Sequence, residues 1–204
     1  MKKRIGLLVV FALVAALSFA QFELSAGGGL MFDISLNNEA KGTVGSDDLT
    51  YGHTFITFGG FIFFDATYAE AALSFGPSIG GTYYTVSGHD SEEIETFTTF
   101  AMNFSLLGKF PFKLGSSFKL FPLVGFSYNM NFKDFSQLNQ LGLLFGAGMD
   151  YNFQKWEKLY LRAELLYSIR FPSNFQKDMA DLIDGSAKMG MLGAVVKVGV
   201  GYKF

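Results

Sequence analysis

From Phe22 to Phe204 the chain places apolar side chains at every second position, in one segment after another. The first segment sets Phe22, Leu24, Ala26, Gly28, Leu30, Phe32, Ile34 and Leu36 on one face, against Glu23, Ser25, Gly27, Gly29, Met31, Asp33 and Ser35 on the other. Successive side chains of an extended chain point to opposite sides, so a period of two specifies strands with one oily and one polar face. The same split recurs near 69–79, 100–110, 118–132, 141–153, 159–171 and 192–204. The segment at 51–64 is aromatic on both faces, and its phase is set by Ile56, Phe58, Ile62 and Phe64. The pattern predicts an all-β chain of eight antiparallel strands.

Charge placement adds a second constraint. Glu23, Asp33, Glu70, Lys109, Lys119, Asp150, Arg162, Glu164, Arg170, Lys197 and Lys203 all fall opposite the apolar stripe. A charge facing lipid near the bilayer midplane costs about 2–4 kcal/mol for Arg or Lys, whereas an interior can pair or hydrate it. Soluble barrels also alternate, so composition must choose between solvents. Half of the residues are hydrophobic and 17% are charged, with 25 Phe and 24 Gly. Beyond the first twenty residues no apolar run approaches the ~20 that a membrane helix needs. The oily face is rich in Phe and Leu, and the polar face in Gly, Ser and Asn. Tyr68, Tyr160, Tyr202 and Trp156 gather toward one rim, and Tyr51, Tyr83 and Tyr128 toward the other, as aromatic girdles do at the two membrane interfaces.

The connections alternate in length. Long polar links are expected at roughly 37–50, 85–95, 133–140 and 172–188, and short ones around 65–67, 111–117 and 154–158. Short periplasmic turns with long external loops are the outer-membrane arrangement. Eight strands close an up-and-down transmembrane barrel, with no edge left in lipid and both ends on the periplasmic side. Pro77 and Pro122 lie inside strands and cannot donate to a ladder. A bulge or early end of pairing is expected at Pro77, and a tolerated gap near the rim at Pro122. Ahead of the barrel, Lys2, Lys3 and Arg4, the apolar stretch 5–17 and Ser18-Phe19-Ala20 have the form of a cleaved signal peptide. The domains expected are therefore a signal peptide at 1–20 and a barrel at 21–204.

Several chemistries find no support. The absence of cysteine excludes disulfides, a thiol nucleophile and a thiolate metal site. A net charge of −2 gives no argument for nucleic acid. Gly27-Gly28-Gly29 lies within a strand, where it permits close packing rather than cradling a phosphate. His53 and His89, the latter beside Asp90 and Ser91, show no triad-like spacing. No enzyme activity, cofactor or metal is expected.

The whole 21–204 stretch resembles the small eight-stranded outer-membrane barrels: the OmpX-like proteins, the transmembrane domain of OmpA and the OmpW group. The likeness is one of pattern, and it is sharpest in the last strand, AVVKVGVGYKF. There it implies that Val198, Val200, Tyr202 and Phe204 form the signal read by the outer-membrane assembly machinery. It further implies a monomer among the lipids of the outer membrane of a double-membraned bacterium, with loops offered to an extracellular or host ligand.

Two interior readings follow. An eight-stranded barrel is only just wide enough for side chains. Glu23, Glu70, Lys109, Lys119, Arg162, Glu164, Arg170 and Lys197 are then a paired network that fills the lumen of a non-enzymatic surface or structural protein. The alternative is a narrow channel or carrier for small hydrophobic molecules, lined by Phe55, Phe61, Phe63, Phe97, Phe121, Leu123, Leu144 and Leu166. In the last external loop, Phe175, Met179 and Leu182 repeat at helical spacing, with Ser173 or Asn174 as cap and Gly185 as terminator.

Overall fold

The computed structural model describes residues 23–44, 47–86, 93–132, 139–174, 177–178, 181, 186–187 and 192–204. The expected leader lies outside them. Eight long strands run in order: β1 (Leu24–Val44), β2 (Asp47–Ala66), β3 (Ala69–Val86), β4 (Glu93–Lys109), β5 (Phe118–Asn131), β6 (Gln140–Asn152), β7 (Leu159–Arg170) and β8 (Leu192–Lys203). Each pairs antiparallel with its neighbours in sequence, and β8 returns to β1 from Ser25↔Lys203 to Ser35↔Gly193. The ring is closed. Closure satisfies backbone donors and acceptors where no water can reach them. Two short pieces attach to it: Phe112–Leu114 pairs with β5 in a periplasmic turn, and Ser186–Ala187 pairs with β1 outside.

Alternation sorts the two faces as the sequence predicts. Leu30, Phe64, Phe104, Leu106, Val124 and Phe126 point outward and are exposed, whereas Phe61, Phe63, Phe121, Leu123, Leu144 and Leu166 point inward and are buried. An apolar exterior of this extent has only a hydrocarbon solvent to match it. The segment that is aromatic on both faces falls into phase with the rest: Ile56, Phe58, Ile62 and Phe64 face out, and Phe55, Phe61 and Phe63 face in.

Four expectations need correction. The link 37–50 is mostly paired strand: β1 and β2 stay paired as far as Val44↔Asp47. Likewise β3 and β4 pair as far as Tyr84↔Glu93, which leaves only 87–92 as a link. Alternation fades there because outside the membrane neither face must be oily, while the backbone ladder continues regardless. Third, β3 neither bulges nor ends at Pro77. Its pairing to β4 is unbroken through Pro77↔Phe100, and pairing to β2 lapses only opposite Phe58 and Gly59 before resuming in the same register. A strand residue offers its single N–H to one neighbour only, so the missing donor harms one side. The register shift of the β1–β2 ladder lies instead between Ser35 and Asn38, where β1 leaves the barrel.

Tyr160 is the fourth correction. It is buried inside the barrel at 1% exposure, not at the girdle, and its hydroxyl lies 2.8 Å from Ser25 Oγ. Gly201 makes room for it: a Cβ there would lie 2.2 Å from the Tyr160 ring. Tyr68, Tyr202, Trp156 and Tyr128 do face outward, and the side chains of Tyr51 and Tyr83 lie outside the described residues. Pro122 sits beside the end of β4, and its carbonyl accepts from the Phe110 N–H at 3.3 Å.

Candidate functional site

The inward phase delivers charged side chains from opposite walls to the periplasmic half of the lumen. On β7 the alternating positions Arg162 and Glu164 face inward, and register sets Asp150 beside Arg162 and Lys197 beside Glu164. Across the lumen, Asp65 and Glu70 are partners on the β2–β3 hairpin. These walls meet at the Arg162 guanidinium, which is wholly buried. Nε and Nη2 donate to the Asp150 carboxylate at 2.8 and 2.9 Å. Nη1 donates to Glu70 Oε2 at 2.7 Å and Nη2 to Asp65 Oδ2 at 2.7 Å. The planar fork of arginine suits such multiple recognition, which a lysine would not reproduce.

The cluster extends around this centre. Lys109 donates to Asp65 Oδ1, and Ser25 Oγ donates to Asp65 Oδ2 at 3.3 Å. Glu164 lies 3.8 Å from Arg162 Nε and 3.6 Å from Lys197 Nζ, close enough for ion pairing but beyond hydrogen bonding. Three cations thus meet four carboxylates. Phe63, Phe121 and Tyr160 place ring centroids 4.5, 5.0 and 5.3 Å from the guanidinium carbon. The rings exclude water and offer negative faces to the cation. Unpaired, each of these charges costs several kcal/mol of desolvation, so their mutual placement is a condition of folding.

Toward the outside, an apolar layer that includes Met31, Leu144, Leu166 and Val195 lies over the cluster. A polar layer follows, in which Arg170 Nη2 donates to Asp33 Oδ2 at 2.5 Å. A cavity of only about 10 Å³ lies between these layers, bordered by Asp33, Arg170, Lys197 and Ser168. At the periplasmic mouth, Lys119 Nζ donates to Glu23 Oε2 at 2.7 Å. That hydrogen bond holds the Glu23 carboxyl below the ordinary glutamate range, against the opposing effect of partial burial.

The residues singled out from the sequence fall into three groups rather than one. Glu70, Arg162, Glu164, Lys197 and Lys109 assemble at the centre; Glu23 and Lys119 pair at the mouth; Arg170 pairs with Asp33 on the outer side.

The family model for the outer membrane protein beta-barrel domain matches residues 7–204. This chain belongs to that family. It is an outer-membrane β-barrel, with the short turns on the periplasmic side. Among solved structures, the outer membrane protein OprG from Pseudomonas aeruginosa is similar at 13% identity and a TM-score of 0.50, over 89% of this chain and 95% of that one. Ail, the attachment invasion locus protein of Yersinia pestis, is similar at 15% identity and a TM-score of 0.47, over 91% of this chain and 100% of that one. Ail was crystallised with the heparin analogue sucrose octasulfate. No curated protein sequence matches this chain.

Three acidic members of the barrel's ion pairs escaped the sequence-based network. Asp65 was expected in a turn, yet it is a β2 residue that continues the inward series Phe61, Phe63, Asp65. That phase was the available signal. Asp150 and Asp33 were on the correct face, but their partners are 12 and 137 residues away, which periodicity does not encode. His53 pairs along the backbone with Asn38 and Thr82, its side chain outside the described residues, as are all of His89, Phe175, Met179 and Leu182. The expected helix does begin at Asn174, with Lys177 N–H donating to the Ser173 carbonyl at 3.2 Å.

Proposed function

We propose that this outer-membrane barrel is a closed, non-enzymatic surface protein whose working part is a sheet standing outside the membrane. The supporting observation is the unequal height of the ring. β1 continues beyond its last partner on β8 at Ser35↔Gly193, and β4 beyond its last partner on β5 at Ala101↔Asn131. The four strands β1–β4 therefore carry on outward above the level at which β5 and β8 leave them. Among the described residues, β1 is met there by Ser186–Ala187, and residues 93–99 of β4 pair only with β3. The edge of such a raised sheet is a template for adding a strand from another protein. The reading fits a lumen filled by side chains better than it fits a channel or a carrier, because the interior cavity bordered by Arg170 and Lys197 holds about one water. In the same reading the barrel is a monomer, and Val198, Val200, Tyr202 and Phe204, all facing lipid, are the segment offered to the assembly machinery.

Shortening the β1–β2 hairpin, by replacing 39–52 with a two-residue turn between the paired Asn38 and His53, tests this directly. Cells displaying the full protein should adhere to immobilised extracellular-matrix proteins, and cells displaying the shortened barrel should lose most of that adhesion. Both forms should keep heat-dependent gel mobility. Equal adhesion by the two would remove the outer sheet from the function.

A further inference from the structure

The periplasmic mouth holds a surplus of lysine beside a cavity. The turn between β4 and β5 pairs Lys113 directly with Lys119, and like charges facing each other across a ladder are destabilising. Lys203, from the end of β8, borders the same space. Glu23 takes up Lys119 at 2.7 Å, and Lys203 Nζ donates to Asn152 Oδ1 at 2.5 Å. Lys113 is exposed and makes no ion pair among the described residues. Glu157 also borders the space, so three lysines stand against two carboxylates. Gly115, with φ of +73°, and Ser116 shape the turn around it. The space itself is an open cavity of about 460 Å³.

Phe118 and Phe153 border the same cavity and belong to the outer aromatic surface. Phe118, Tyr151, Phe153 and Trp156 form a continuous string, with successive ring centroids 5.0, 5.5 and 5.9 Å apart. Aromatic girdles mark the level of the lipid headgroups. The ammonium group of Lys113, in excess of the carboxylates, therefore shares this mouth with an apolar wall at the depth where lipid phosphates lie.

We propose that this mouth is a binding site for an anionic phospholipid of the inner leaflet. The phosphodiester sits against Lys113 and Lys119, and the adjoining chain lies along Phe118 and Phe153. The lipid anion relieves the repulsion between the paired lysines, and so fastens the β4–β5 turn to the membrane.

The test uses barrel reconstituted into phosphatidylethanolamine vesicles with and without phosphatidylglycerol, then extracted gently for native mass spectrometry. The wild-type protein should retain phosphatidylglycerol in preference to phosphatidylethanolamine. Lys113→Gln should weaken that retention about five-fold, equivalent to the ~1 kcal/mol that one lysine contributes near an anionic surface. Lys113→Arg should restore it, and Lys177→Gln, on the opposite side of the membrane, should leave it unchanged. Heat-dependent gel mobility should be the same throughout. Equal retention by wild type and Lys113→Gln overturns the proposal. Displacement of the lipid by inorganic phosphate overturns the lipid assignment and makes the mouth a site for free phosphate.

Discussion

Replacing Arg162 with methionine is expected to destabilise the folded barrel by about 3–5 kcal/mol, the cost of leaving buried charge without its partner. Methionine keeps much of the side-chain length, so the loss is mainly electrostatic. Glu70 loses the hydrogen bond to its Oε2, Asp150 loses both of its hydrogen bonds to the guanidinium, and Asp65 keeps Lys109. The triple variant Arg162→Met, Glu70→Gln, Asp150→Asn should recover most of the loss, because the two carboxylates that remain, Asp65 and Glu164, are then matched by the two remaining cations, Lys109 and Lys197. Denaturant unfolding in vesicles, followed by the fluorescence of the single tryptophan, Trp156, reads both. A single variant as stable as the wild type would mean that the cluster is hydrated.

The second large effect is on the outer face. Val198→Arg places a charge on the lipid side, where Val198 stands midway along β8 between Leu30 and Ala163. The expected cost is about 2–4 kcal/mol, against about 0–1 kcal/mol for Tyr202→Arg near the interface. Lys197, the adjacent residue, carries its charge inside beside Glu164. One position along the strand therefore separates a tolerated cation from a costly one. The same unfolding measurement checks the depth dependence; equal costs at Val198 and Tyr202 would deny that this face meets hydrocarbon.

What could be read from the residues was whatever period two carries. It carried the inward assignment of Asp33, Glu70, Lys109, Asp150, Arg162, Glu164, Arg170 and Lys197, and the phase of β2, despite its aromatic residues on both faces. Those inner aromatics have a reason in the structure: Phe63 and Phe121 pack against the Arg162 guanidinium. The partners themselves were not readable. Arg162 meets Glu70 across 92 residues, and that meeting depends on how the strands stagger around the ring rather than on any local pattern. The outer hairpins were also hidden, since Asn38 to Leu49 has no oily face to betray a strand that hydrogen bonds alone define. Asp65 and Tyr160 were misplaced for a related reason. Each lies within two residues of a turn, where turn composition and rim position compete with the strand phase.

The sealed lumen is the claim on which the rest depends, and ion conductance of the refolded protein in planar bilayers tests it most directly. A lumen closed by the Arg162 cluster gives no discrete channels at any moderate voltage. Reproducible single-channel steps from the folded, heat-modifiable protein would contradict it.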